Sequence, residues 1–227
     1  MVIHYNLEGK LMEKKTDQME KWAGQFGRNY TDRNPSSLTE LEQLYRRNYG
    51  ITRMQMNTLF LGDMPKTLEI MEVGANIGNQ LLCLQEMGFT NLHGIELQAY
   101  AVEKSQSLIG RGKIIQGSAL DIPHGNNSFD LVFTSGVLIH ISPMDMNKVV
   151  DEIYRCTRRY IWGFEYYSES LKEVDYRNEK GLLWKTDFAK LYSQRFPNLK
   201  LIKEVRFKYL QNDNVDTMFL LEKTVAR

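Results

Sequence analysis

Two carboxylates and a glycine turn are the residues of this 227-residue chain best suited by type and spacing to hold a small ligand. The stretch Glu72-Val73-Gly74-Ala75-Asn76-Ile77-Gly78-Asn79 follows an apolar run and precedes apolar residues at helical spacing. Gly74 and Gly78 let the backbone approach a ligand with no Cβ in the way. A helix that begins here presents free N–H groups and the positive end of its dipole. Glu96 ends the next apolar run, where a carboxylate can accept from both hydroxyls of a ribose, at about 1.5–3 kcal/mol per charge-assisted bond. Further on, His140 in the stretch LIHISP and Glu165 in the stretch GFEYY stand after apolar runs and are the candidate proton acceptors.

The turn is not a dinucleotide fingerprint. G-x-G-x-x-G counted from Gly74 requires glycine at 76 and 79, and both positions are asparagine. A pyrophosphate must lie against such a turn; S-adenosylmethionine (SAM) has none, and brings a carboxylate, an ammonium, a sulfonium, a ribose and an adenine. The helix start suits the carboxylate. Glu72 can balance the ammonium directly or through water, and Glu96 with the following Leu97 flanks the ribose. An NAD enzyme also places an acid on its ribose, so Glu96 alone does not separate the two cofactors.

Several elements must hold these residues. Residues 1–20 are polar and either fray or pack as a helix around Met19 and Trp22. QFGRNYTDRNP, residues 25–35, reads as a loop. Ser37 with Glu40 reads as a capping box for a helix that runs to Gly50, and a second helix covers 52–60. From residue 67 strands and helices alternate. Strands are expected at 67–73, 91–96, 113–116, 129–134 and 160–164, with a helix starting at Ser142-Pro143. A helix near 186–195 then precedes two strand-like segments, 199–209 and 216–222, joined by the turn Gln211-Asn212-Asp213-Asn214. The expected fold is α/β: a doubly wound, mostly parallel seven-stranded sheet closed by a C-terminal antiparallel hairpin. Residues 1–62 form an N-terminal helical lid, and 63–227 the ligand-binding domain.

The ordered set of acidic glycine turn, second-strand acid, the loop Gln116-Gly117-Ser118-Ala119-Leu120-Asp121 and the strand Phe129-Asp130-Leu131-Val132 resembles the class I SAM-dependent methyltransferases, a Rossmann-like fold. The resemblance implies that Ser118, Ala119 and Leu120 hold the adenine, and that Thr134, Ser135 and Gly136 pass beside the methionine moiety. Ser118 stands where the superfamily often has an acid, which implies a weaker adenine contact. Over nearly the whole chain from about residue 20, the segments FGRNYTDRN, EVGANIGNQL, GVLIHISP, EYYSE, YRN and LWKTDFA resemble the bacterial methylase family associated with pseudaminic acid biosynthesis. That likeness implies a methyltransferase in a surface-glycan pathway; it names no acceptor.

The acceptor side is read from polar and aromatic clusters. Tyr30, Arg33 and Asn34 lie in a polar segment that is costly to order without a function. They either close over the ligand or, through Asp32 and Arg33, make a structural turn. Glu165 either takes the acceptor's proton or pairs with Arg33 or Arg177, and His140 is either a base or a packed residue at a strand–helix junction. Tyr166, Tyr176 and Arg177 suit a sugar-like or anionic small molecule.

Composition narrows the classes. A formal net charge of +1 lacks the footprint of a general nucleic-acid binder, and no Asn/Asp-Pro-Pro-aromatic motif follows the fourth strand, where Ser135-Gly136-Val137-Leu138 stands. The two cysteines, Cys83 and Cys156, have no metal-ligand spacing, and neither a signal peptide nor a bilayer-spanning run is read. A cytoplasmic protein with no metal is expected, with a homodimer left open. The competing classes are an NAD-dependent enzyme and a SAM-binding regulatory protein without turnover.

Overall fold

The computed structural model describes residues 16–110 and 113–224. Expectations for residues 1–15 lie outside the described residues. A single seven-stranded sheet organises the chain, in the order β3-β2-β1-β4-β5-β9-β8. Its strands are β1 Glu69–Val73, β2 Asn91–Glu96, β3 Ile114–Gln116, β4 Phe129–Ser135, β5 Thr157–Tyr166, β8 Leu199–Lys208 and β9 Val215–Lys223. The first five run parallel, whereas β9 pairs antiparallel with both β5 and β8. The strand order reverses between β1 and β4, so the crevice at their carboxyl ends is where such a sheet binds ligands.

Strand residues alternate between two helical layers because successive side chains point to opposite faces. Ile70, Leu131, Phe133, Trp162, Met218 and Leu220 pack with Met56, Phe60 and Leu61 of α4 (Arg53–Leu61) and with Leu81 and Leu84 of α5 (Asn79–Glu86). Met71, Val73, Val132, Ile161, Phe219 and Leu221 pack with α7 (Met146–Cys156) and α8 (Phe188–Arg195) on the other side. The buried stripe of α7, Met146, Val149, Val150 and Ile153, is the one expected from its spacing. α6 (Ala99–Leu108) connects β2 to β3.

Ahead of the sheet lie α1 (Asp17–Ala23), α2 (Gln25–Thr31), α3 (Leu38–Tyr49) and α4. The segment read as a loop is therefore mostly helix. Its glycine misleads: an added Cβ at Gly27 would stand 1.8 Å from the Trp22 carbonyl oxygen, so this glycine serves close approach of α1 and α2. Two smaller expectations are also corrected. Ser37 caps α3 by accepting from the Glu40 N–H, but the Glu40 carboxylate accepts from Ser36, and the reciprocal capping box is Thr52 with Gln55. α7 becomes regular only at Met146, with Leu138–His140 forming a separate 3-10 turn and the Ser142 N–H held by Gln18. A short ribbon of β6 (Lys172–Glu173) and β7 (Trp184–Lys185) was not anticipated, since two-residue strands leave no periodic signal.

Gly163 of β5 is directly paired with Phe219 of β9, and the Phe219 ring covers it; a Cβ there would lie 2.2 Å from the ring Cζ. Gly163→Ala is expected to destabilise the fold by about 1–3 kcal/mol, the range for overpacking, measured by urea unfolding. An unchanged midpoint would show that Phe219 can move aside.

Candidate active site

The glycine turn is held from two directions. Glu96 Oε2 accepts from the Asn76 backbone N–H at 2.8 Å, and Oε1 accepts from the Gln98 N–H at 2.8 Å. The N–H groups of Gly74 and Ala75 both donate to the Ile95 carbonyl at 2.9 Å. Gly74 and Asn76 take left-handed backbone conformations, φ +73° and +47°, which glycine and asparagine adopt with least strain. Burial pushes the Glu96 carboxyl above its ordinary range, against the pull of its backbone donors.

The asparagines at 76 and 79 do more than erase a fingerprint. Asn76 donates to Thr31 Oγ1 at 3.0 Å and accepts from Asn34 Nδ2 at 2.9 Å. Asn79 donates to the Pro35 carbonyl at 3.0 Å. Gln98, which the sequence reading missed, reaches the carbonyls of Trp22, Ala23 and Gly24 at 2.8–3.2 Å. Together these amides fasten the α1–α2 cap over the turn. Its visible signal is modest: a polar residue two positions beyond a strand-ending acid, here the N-cap of α6.

Beneath the cap lies a cavity of about 310 Å³, within the range of small-molecule sites. Glu72, Gly74, Asn76, Glu96, Leu97, Ser118, Ala119, Leu120, Ser135 and Gly136 line it. Two residues assigned to the same group do not. Gly78 instead packs on Ile109 and Ile114, where a Cβ would clash at 2.8 Å, and Thr134 is buried and bonded to Glu165. Glu72 is only 2% exposed, and its Oε2 has no partner. Desolvation raises its carboxyl well above the ordinary range, opposed by the buried Arg53 guanidinium and a hydrogen bond from the Leu81 N–H. Among the described residues no lysine or arginine lines the cavity.

A second cavity of about 250 Å³ adjoins the first, and Tyr30, Leu44, Tyr45, Ser135, Gly136 and His140 border both. Tyr166 and Tyr176 line it as well. Tyr30 and Tyr176, distant in sequence, meet through His140: ring centroids lie 6.5 and 5.1 Å from the imidazole, with Trp22 at 4.5 Å. His140 Nδ1 donates to the Leu182 carbonyl at 2.7 Å, which leaves Nε2 as the acceptor nitrogen of the neutral ring. Burial pulls its pKa down to about 4. Glu165, by contrast, is committed. Its oxygens accept from the N–H groups of Val137 and Ile139 at 3.2 and 3.4 Å, so it braces the turn rather than pairing with an arginine. Burial raises its pKa to about 7. Arg33 and Arg177 are exposed and line neither cavity; Asn34 lines the first. The sequence reading passed over Tyr45, Tyr49, Tyr209 and Asp216 of the second cavity, since tyrosines at helical or strand spacing look like core.

Gln98→Leu removes the amide that fastens the cap. Amide hydrogens of residues 17–31 should then exchange at least about tenfold faster, because three carbonyls lose a buried donor worth about 1–3 kcal/mol, while sheet amides hold their protection. Unaltered exchange in α1 and α2 would mean that aromatic packing alone seats the cap.

Residues 71–160 match the family model described as a methyltransferase domain. No curated protein matches the chain. Among solved structures, the chain is similar to magnesium protoporphyrin IX methyltransferase from Synechocystis PCC 6803, with bound SAM (TM-score 0.65, 11% identity, 94% of this chain and 100% of that one). It is similar to a SAM-dependent methyltransferase from Leishmania major (TM-score 0.64, 14% identity, 96% of each chain). A third is an N1-methyltransferase of 1,6-didemethyltoxoflavin from Burkholderia thailandensis, bound to that compound and S-adenosylhomocysteine (TM-score 0.61, 14% identity, 76% of each chain). Among the described residues no helix is long and apolar enough to cross a membrane, and no group of three or more His, Cys, Asp or Glu is arranged to hold a metal ion. Residues 71–160 thus match the methyltransferase domain model, and the chain has the Rossmann-like fold seen in these solved methyltransferases.

Proposed function

We propose that this protein is a SAM-dependent methyltransferase acting on an oxygen or nitrogen of a small, sugar-like molecule. One observation carries the reading: among the described residues, the cavity at the switch point is lined by three carboxylates, Glu72, Glu96 and Asp145, and by no lysine or arginine. A pyrophosphate cofactor would meet only negative charge there, whereas an ammonium and a ribose find acceptors. The free Oε2 of Glu72 suits the ammonium, and the remaining lone pairs of Glu96 suit the ribose hydroxyls. Ser118 already turns its Oγ to the Leu120 N–H, which shapes the loop at the adenine end. When bound, SAM supplies an electrophilic methyl group.

The chain's own residues then have three tasks. The cap, held by Asn76, Asn79 and Gln98, keeps water from the site, and the shared border of the two cavities orients the acceptor toward the first. His140, through Nε2, is the group placed to take a hydrogen bond or proton from the acceptor at that border. The sugar-like acceptor is supported by the resemblance of FGRNYTDRN, EYYSE and YRN to the pseudaminic acid-associated methylases, and by aromatic walls that suit sugar rings.

Calorimetric titration with SAM, S-adenosylhomocysteine and NADH tests the cofactor; binding of NADH alone would overturn the reading. Mass spectrometry of sugar metabolites incubated with enzyme and SAM then seeks a gain of one methylene. Glu96→Ala should weaken SAM by about 1.5–3 kcal/mol or more, roughly ten- to a hundredfold. A folded variant with native affinity would remove Glu96 from the site.

A further inference from the structure

The second cavity contains an acid with a free oxygen. Asp216, on β9, is 2% exposed and lines that cavity. Its Oδ2 accepts from the Tyr49 hydroxyl, while the Tyr209 hydroxyl donates to Tyr166 at 3.4 Å. Its Oδ1 is buried and has no partner. The surrounding charges do not supply one. Arg53 is held by Asn57 and Tyr45 at 2.8 and 2.9 Å, with its guanidinium 4.5 Å from the Phe164 ring centre. Lys185 is held by Asn214 at 2.5 Å and lies over the Tyr166 ring. Both attract the carboxylate electrostatically, yet neither forms an ion pair with it among the described residues. Glu165, the other acid of the cavity, has its oxygens occupied by backbone N–H groups.

The walls carry the same sign of preference. Tyr30, Tyr45, Tyr49, Tyr166, Tyr176 and Tyr209 line the cavity, and among the described residues no lysine or arginine does. Aromatic faces attract cations and pack on rings, while a buried anion placed here would face two acids, with Arg53 and Lys185 outside the lining and already held by other partners.

We propose that Asp216 is the acceptor anchor: its free Oδ1 receives a hydrogen bond from a hydroxyl or amine of the acceptor, and the cavity therefore selects neutral or cationic donor-bearing molecules over carboxylates and phosphates. This rests on the methyltransferase reading and narrows its acceptor class. The Tyr49 hydroxyl and burial fix the carboxylate in place, so the acceptor's donor group meets an oriented oxygen rather than a mobile side chain.

The test uses the full chain, with and without S-adenosylhomocysteine, and two matched probe pairs followed by saturation-transfer NMR: glucosamine against glucuronate, and tyramine against 4-hydroxyphenylacetate. In at least one pair the amine should bind tenfold or more tightly than the acid. In Asp216→Asn that preference should fall to within threefold, while S-adenosylhomocysteine affinity stays native. Acids binding as well as amines, no discrimination in either pair, or a preference that survives Asp216→Asn would overturn the proposal. Should the variant fail to fold, the wild-type Asp216 carboxyl carbon resonance serves instead: it should move with amine binding, and a fixed resonance overturns the anchor. Loss of S-adenosylhomocysteine binding by the wild type would sink the methyltransferase reading itself, a separate outcome from the probe preference.

Discussion

The Glu96 carboxylate is the constraint on which the rest of the site depends. Its two oxygens tie the Asn76 and Gln98 N–H groups together, joining the turn after β1 to the exit of β2. Desolvating a carboxylate is costly, and the cost is offset here by charge-assisted bonds to backbone donors that would otherwise be orphaned. With the turn so fixed, Asn76 can hold its left-handed conformation and aim both ends of its amide at the cap. Without that tie, neither the shape of the first cavity nor the seat of α1 and α2 would follow.

The cap extends this logic to the second cavity. Amides hold it on the side of the first cavity, and aromatic contacts among Trp22, Tyr30, His140 and Tyr176 hold it on the side of the second. Lys21 adds a 2.5 Å ion pair to Glu179, but both partners are partly exposed, and such pairs contribute little. One helical segment thus closes two adjoining cavities. α4 is part of the same body, since Met56, Phe60 and Leu61 pack directly against the sheet.

The buried acids divide by what their oxygens meet. Glu165 meets backbone N–H groups, and its role is to shape the turn of Val137–Ile139. Glu72 and Asp216 each retain an oxygen without a partner inside a cavity wall. A native fold rarely leaves a buried carboxylate oxygen unpaired without reason, and in the proposed function these two atoms are where the ligands would supply the missing donors.

Much of this is written locally in the chain. Alternation of strand and helix periods specifies the parallel sheet, and the QNDN turn the closing hairpin. Glu72, Gly74, Glu96 and Ser118–Leu120 are legible because strand ends on a doubly wound sheet must converge at its switch point. The acceptor side is not legible in that way. Asp216 looks like a strand residue and Tyr45 and Tyr49 like a helix stripe, and they meet only because β9 is inserted antiparallel beside β5 with α3 folded across it. Gly27 and residues 25–31 mislead for a related reason: a glycine's use in a turn or in close packing depends on what lies opposite. The sequence by itself determined the sheet, the turn and the carboxylates of the first cavity, since each is signalled by local periodicity and by its place at the end of a strand. Only the tertiary structure decided which oxygens remain free, because a partner's absence is set by every element that packs around the atom.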